Sequence, residues 1–149
     1  MILSQKCQYA VRAILELSKR YGQGPVSAAK IAGSQAAPQR FLEIILNELK
    51  PTGLVDSRRG AQGGFYLTSS PDRITVGKVI RLVEGPLDPV NCEADQAGRC
   101  CALAERCALA GLWKQARKAV ETVYDSVSFQ DLVDQERNLQ SEAALQYCI

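Results

Sequence analysis

Apolar positions in the first fifty residues follow the period of an amphipathic helix, broken twice by turn-forming residues. The pattern predicts one helix over residues 3–21 and another over residues 38–49. Between them, Ser27 is placed to cap a short helix over residues 28–32, which we expect Gly33 to end. Two helices joined by a tight turn, with a longer helix before them, are typical of a helix-turn-helix.

A hairpin is predicted after residue 53. Residues 54–57 and 65–68 predict the two short strands of a hairpin. The loop between them contains two arginines and three glycines, so its backbone can approach a phosphate chain closely. A hairpin placed directly after a helix-turn-helix is the wing of a winged-helix domain.

The second half of the chain predicts helices separated by an aperiodic stretch. Thr75 is placed to cap a helix that Gly85 closes, and residues 87–99 indicate a loop. A long helix is expected over residues 108–127, followed by a short one that starts at Ser128. Apolar residues in the long helix repeat at intervals of seven, over a stripe wider than one core contact needs. This favours a helix that also pairs with a symmetry mate, the alternative being an ordinary core helix.

These elements predict a mainly α fold with a small β-hairpin wing, in which a winged helix-turn-helix domain precedes a long dimerisation helix. The expected boundaries are residues 1–85 for the winged-helix domain, 86–107 for a cysteine-bearing sensor loop, 108–138 for the dimerisation helix and a short following helix, and 139–149 for a tail. No apolar run approaches the ~20 residues that a membrane-spanning helix needs, so we expect a cytoplasmic protein.

Positive charge is concentrated in the first half of the 149-residue chain, although the net charge is only +2. Residues 1–75 hold ten Lys or Arg and five Asp or Glu, whereas residues 76–149 hold eight and eleven. A basic winged-helix half makes double-stranded DNA the expected partner. Random scatter of surface charge is the alternative, and charge alone does not decide between them.

The third helix presents polar side chains suited to reading base edges. Gln can pair with adenine, Arg with guanine, and Glu can accept a hydrogen bond from cytosine. An ordinary solvated helix face is the alternative, but the neighbouring basic loop, whose Arg59 can enter a minor groove, favours DNA. The candidate DNA-binding residues are Gln39, Arg40, Glu43, Ser57, Arg58, Arg59 and Gly60. The expected phosphate contacts are Lys6, Arg12, Lys50 and Arg58.

Six cysteines and no histidine restrict the available metal and redox chemistry. Four of the cysteines fall within residues 92–107, which in a chain expected to be cytosolic indicates a metal or redox site. Such thiolates can converge on an iron–sulfur cluster, with bound zinc and a thiol–disulfide switch as the alternatives. The sequence has no catalytic motif based on histidine, paired carboxylates or a nucleotide-binding loop, so an enzyme is not expected.

Several segments carry the pattern of a known family, of which the wing stretch 53–67 is the most specific. The others are residues 4–6, 9–13, 41–43, 76–80, 112–113 and 132–133. On these segments the chain resembles the IscR/NsrR/CymR-type winged-helix transcriptional regulators of bacteria. The resemblance covers the chain to about residue 138. It implies a homodimer, a palindromic operator and a signal read by the C-terminal half, with base-reading positions at Pro38, Arg40, Phe41 and Glu43 and a minor-groove arginine at Arg59.

The resemblance also implies the ligands of an iron–sulfur cluster, either [2Fe-2S] or [4Fe-4S]. Cys92, Cys101 and Cys107 best match the three family ligands, and Cys100 is an adjacent alternative. We therefore expect a transcriptional repressor whose operator affinity is controlled by the cluster or by the redox state of these cysteines. The alternative is a winged-helix regulator with a thiol–disulfide, zinc, metabolite or partner-protein signal.

The fourth cluster ligand has no direct equivalent in this sequence. One branch of the family uses a histidine where this chain has Ala110, and another uses an acidic residue where this chain has Gln8. The neighbouring cysteine leads to the hypothesis that Cys7 of the partner subunit completes the site. The alternative is that Cys7 is a small buried core residue.

Overall fold

The computed structural model describes residues 3–88, 90 and 106–146. The described part contains six α-helices and one antiparallel pair of strands. In chain order these are α1 (Gln5–Lys19), α2 (Ala28–Gln35), α3 (Gln39–Leu49), β1 (Val55–Arg58), β2 (Gly64–Leu67), α4 (Val76–Glu84), α5 (Ala110–Asp125) and α6 (Phe129–Gln146). The predicted fold class, mainly α with a small hairpin wing, is confirmed.

Capping explains where the first helices begin and end. The Ser4 hydroxyl accepts a hydrogen bond from the first turn of α1 at 3.1 Å, which fixes the start of that helix. The predicted end of α2 at Gly33 is wrong, because the helix tolerates this glycine and continues to Gln35. Ala36 then ends α2 in the left-handed conformation, with φ 48°. α3 begins one residue after Pro38, close to the predicted position.

The helix-turn-helix is assembled around α1, which packs against α2, α3, α4 and α6. Inward positions on these helices are apolar at helical spacing, so they form one continuous core. Its fully buried members are Ala10, Ala13, Ile14, Ile31, Leu42, Leu46, Ile74, Val79 and Phe129. This packing fixes one side of α3, and no other residue within 3–88 or 106–146 covers the opposite side of that helix.

The wing is attached to the helix-turn-helix by a second set of backbone hydrogen bonds. Within the hairpin, Val55 pairs with Leu67, and each strand is displaced by one residue from its predicted position. The amides and carbonyls of Val26 and Phe65 exchange two hydrogen bonds of 2.8 Å just before α2. The backbone at position 64 comes so close to that of Val26 that only glycine fits, because a Cβ on Gly64 would lie 2.3 Å from the Val26 carbonyl oxygen.

After α5 the chain returns to the core of the winged-helix domain. The Val76 amide donates to the Val127 carbonyl at 3.0 Å, and the Phe129 amide donates to the Ile74 carbonyl at 2.9 Å. The Phe129 side chain is then fully buried in the core, although it lies far beyond the predicted boundary at residue 85. α6 extends for 18 residues to Gln146, so the prediction of a short final helix ending near residue 138 is wrong.

α5 lies on α4 and is joined to it by an ion pair. The Arg81 guanidinium nitrogens lie 2.7 and 3.1 Å from the two carboxylate oxygens of Asp125. None of the 16 residues of α5 is buried within the described chain, and Leu109, Leu112 and Val123 on and beside it are exposed. The residues that the structure describes therefore leave uncovered the apolar stripe that the seven-residue repeat predicts. No helix in the described ranges has the length and apolar character that crossing a membrane requires.

Candidate nucleic-acid interface

α3 has an outer face made of four residues, opposite the side that packs in the core. Helical spacing places these residues together, and they are Arg40, Glu43, Ile44 and Asn47. The Gln39 side-chain amide donates to the Glu43 carboxylate at 2.9 Å, which holds two of the predicted base-reading residues side by side. Arg40 is exposed and forms no hydrogen bond or ion pair with the residues that the structure describes.

The wing presents its basic residues at an exposed and tightly turned tip. Arg58, Arg59 and Gly60 are all exposed. Gly60 has φ 112°, a conformation that favours glycine, and its carbonyl accepts a hydrogen bond from the Gly63 amide at 2.9 Å. Neither arginine is engaged in an ion pair within residues 3–88, 90 and 106–146. Both guanidinium groups are therefore available to a phosphate or a groove.

Two of the predicted phosphate contacts also have partners within the chain. The Lys50 ammonium donates to the half-buried Ser57 hydroxyl at 2.7 Å and joins the end of α3 to β1. Lys6 of α1 forms an ion pair with Glu48 of α3. Both lysines therefore position α3 between α1 and the wing, a role that the sequence did not indicate. Arg12, the other predicted phosphate contact on α1, is exposed.

A charged network behind the helix-turn-helix connects α1 to its neighbours. The buried Glu16 carboxylate accepts from Arg20 at 2.8 Å and lies 3.3 Å from Lys19. Burial acts to raise the pKa of Glu16, but the hydrogen bonds from Arg20 and Lys19 outweigh it and hold the pKa below its ordinary value. Gln35 of α2 donates to the same carboxylate at 3.4 Å, and Lys19 meets Glu136 of α6 at 2.8 Å. The network ties α1 to both helices.

The candidate cluster ligands are only partly within the described residues. Cys92, Cys100, Cys101 and Cys148 lie outside them. Cys107 is half-exposed with a free thiol and precedes α5 by three residues. Among the described residues there is no group of three or more His, Cys, Asp or Glu side chains that could hold a metal ion. The ligand set thus stays a prediction.

Cys7 occupies the core rather than the surface. Its side chain is fully buried beside Ile80 and Leu87. Burial, followed by the nearby Glu84 carboxylate, raises the pKa of the Cys7 thiol to about 11. Burial within its own chain is what the core role of Cys7 expects, and the hypothesis that Cys7 is the fourth ligand stays a prediction.

Two residues of the α3 outer face were absent from the predicted DNA-binding set. Ile44 and Asn47 are exposed on the same face as Arg40, at successive turns after it, and the same helical spacing that places Arg40 outward places them there. The Glu16 network carried no comparable signal, because its partners come from three different helices.

A helix-turn-helix with an uncovered second helix, followed by a hairpin with a basic tip, defines a winged-helix protein of the DNA-binding class. Residues 3–135 match the Rrf2 family model, which is described as an iron-dependent transcriptional regulator. The HTH-type transcriptional regulator CymR of Bacillus subtilis (strain 168) is 39% identical over 132 residues, which cover 89% of each chain. The HTH-type transcriptional regulator IscR of Aliivibrio salmonicida (strain LFI1238) is 34% identical over 133 residues, covering 89% of this chain and 77% of the relative.

Among solved structures, that of CymR (YrzC), the global cysteine regulator of B. subtilis, has a TM-score of 0.74 and 38% sequence identity. The match covers 91% of this chain and 98% of the CymR chain. The chain belongs to the Rrf2 family of transcriptional regulators. Its function is DNA-binding regulation of transcription, and its family and relatives are regulators rather than enzymes. The predicted resemblance is confirmed.

Proposed function

We propose that the chain is a homodimeric repressor whose affinity for a palindromic operator is set by the cysteines between α4 and α5. The observation that carries the proposal is the uncovered apolar stripe of α5, a 16-residue helix with no buried residue within the described chain. Such a helix needs a partner surface, and a second copy of α5 offers the same stripe. The cysteine segment joins this helix to the winged-helix domain.

The described residues on either side of positions 91–105 contact α5 or lead into it. Asp88 accepts a hydrogen bond from Arg117 of α5 at 2.8 Å. On the other side, the Cys107 carbonyl accepts a hydrogen bond from the Ala110 amide, the first of α5, at 3.2 Å. A signal that moves these flanking residues would therefore act on α5, and the Arg81–Asp125 ion pair links α5 to α4. In a dimer this alters the separation of the two α3 helices, which must match half-sites about 34 Å apart.

An iron–sulfur cluster is the first candidate for the signal. Cys92, Cys101 and Cys107 would hold it, with Cys100 as the alternative ligand, and the half-exposed free thiol of Cys107 fits that role. A cluster bound there would supply chemistry that is sensitive to oxidation and nitrosylation. The description of the family as iron-dependent supports this candidate.

A signal without a cluster is the second candidate. A relative of similar fold, CymR, is described as a global cysteine regulator, which favours a signal linked to thiol metabolism. The same cysteines would then act through disulfide exchange or bound zinc, or the regulator would respond to a metabolite or a partner protein.

The DNA-binding surface is tested by Arg59→Ala. Operator duplexes selected from a random pool are titrated at several salt concentrations to obtain Kd. Because Arg59 forms no described internal contact, we expect an unchanged melting temperature and binding weaker by roughly 5- to 100-fold. Arg137→Ala is the matched control, since Arg137 is an exposed arginine on α6, and it should leave Kd unchanged. Equal affinities of Arg59→Ala and the wild type would refute the proposed surface.

The signal is tested on protein purified without oxygen, by its visible absorbance and its iron and acid-labile sulfide content. The cluster proposal expects a coloured protein that loses its absorbance in Cys107→Ser. Cys7→Ser should keep the absorbance, since Cys7 lies in the core. A colourless protein that gains no cluster on reconstitution rejects the first candidate and favours the second, with the DNA-binding proposal unaffected.

A further inference from the structure

Ile44 is an apolar side chain on the outer face of α3, where half of its surface, 50%, is exposed. It belongs to neither apolar core cluster of the described residues and is not packed against one. A β-branched residue at an exposed helix position also lowers helix propensity slightly. The packing of the described part of the chain therefore gives no reason for isoleucine at this position.

The neighbours of Ile44 are polar groups suited to base edges. Arg40 lies one turn before it and Asn47 just under one turn after it, while Glu43 adjoins it in sequence. Recognition helices read bases from their N-terminal turns, and Ile44 is the sixth residue of the 11-residue α3. When α3 enters a major groove by this face, Ile44 meets the base edges between Arg40 and Asn47.

We propose that Ile44 is a specificity-determining residue that recognises a thymine in the operator through its 5-methyl group. The inference rests on the proposed function, because it requires α3 to lie in the major groove. In unmodified DNA, the thymine methyl is the apolar group that a base pair displays there. Burying one methyl group against Ile44 strengthens binding about fourfold and selects T·A over pairs that lack the methyl.

A second copy of this chain is a poorer occupant of the same surface. Pairing at Ile44 would also remove water from the charged Arg40 and Glu43 side chains on either side. The larger uncovered apolar surface lies on α5, where Leu112 and Val123 are exposed. The major groove of DNA offers hydrogen-bonding groups to the charged neighbours and a methyl group to Ile44.

The test uses the full-length protein and a selected operator in which each thymidine is replaced singly by deoxyuridine. This replacement removes only the methyl group. We expect one thymine per half-site whose replacement weakens wild-type binding about fourfold, and about fifteenfold when both half-sites are changed. Ile44→Ala should bind the thymidine and deoxyuridine operators equally, with an unchanged melting temperature. Leu139→Ala, which truncates an exposed leucine on α6, should keep the full difference.

A second variant examines the choice of base directly. Ile44→Gln should shift the base selected at this position from thymine towards adenine, since Gln pairs with the N6 and N7 atoms of adenine. Continued selection of thymine by Ile44→Gln overturns the inference. The inference is also overturned if the wild type binds every deoxyuridine operator as tightly as the thymidine operator. It is overturned as well if Ile44→Ala still discriminates between the two operators as the wild type does. Either of these results leaves DNA binding itself intact. Failure to select any operator overturns the proposed function along with the inference.

Discussion

Replacing Gly64 by alanine should loosen the wing from the helix-turn-helix. The new Cβ would lie 2.3 Å from the carbonyl oxygen and 2.4 Å from the carbonyl carbon of Val26, and 2.7 Å from the Ser27 amide nitrogen. All three are backbone atoms, so no side-chain rotation relieves the overlap. The strands must separate, and the two hydrogen bonds between Val26 and Phe65 lengthen or break.

The cost follows from the contacts that are lost. Two backbone hydrogen bonds contribute about 1 kcal/mol each, and the buried Phe65 ring loses part of the roughly 1.5–3 kcal/mol that its burial contributes. We therefore expect the free energy of unfolding to fall by about 2–4 kcal/mol and the melting temperature by about 10 °C. Operator affinity should fall too, because Arg58 and Arg59 move with the hairpin.

Thermal melting followed by circular dichroism measures this effect, and Gly33→Ala provides the matched control. A Cβ at Gly33 meets nothing within 4 Å, and the residue lies inside α2, so alanine should stabilise the chain by about 0.5–1 kcal/mol. The two glycine-to-alanine changes should thus move the melting temperature in opposite directions. A Gly64→Ala variant that melts within about 2 °C of the wild type would refute the close approach on which the reasoning rests.

Two predictions concern pH. Burial and the Glu84 carboxylate raise the pKa of Cys7 from 9.0 to about 11, so the unfolded chain ionises this thiol first. Stability should therefore fall by up to about 2.7 kcal/mol between pH 9 and 11, and denaturant titrations should show this loss removed in Cys7→Ala. Glu16 has a pKa below its ordinary 4.5, with burial outweighed by Arg20 and Lys19, so its stabilisation is present above that pH and is lost in acid. Glu16→Gln should lower the free energy of unfolding by about 1.5–3 kcal/mol at pH 7 and reduce its decrease in acid. A variant whose stability falls in acid as steeply as that of the wild type would contradict the role of the network.

The parts of the fold that the sequence predicts are those with a local signal. The hairpin was predictable from residues 54–68, because two short segments with apolar residues flank a glycine-rich loop. α5 was predictable from its seven-residue apolar repeat, which also indicates the uncovered stripe. The outer face of α3 was predictable from helical spacing, which also places Ile44 on that face.

The rest depends on contacts between distant parts of the chain. The length of α6 was underestimated, because its second half is mostly polar and its start is fixed by Phe129 packing into a core made by α1 and α4. The end of α2 depends on the backbone conformation of Ala36, a residue without the turn preference of glycine. The Glu16 network requires α1, α2 and α6 to meet, which no local pattern encodes.

The burial of Phe129 has a consequence for how the protein is made. Domains of a nascent chain fold as units, generally in order from the N-terminus. Here α1 to α4 leave the ribosome early, but the core that holds them is not complete until Phe129 arrives, more than forty residues after the end of α4 at Glu84. Synthesis therefore passes through the cysteine segment and α5 before the winged-helix domain is finished. A nascent chain whose core is complete already carries both of these segments.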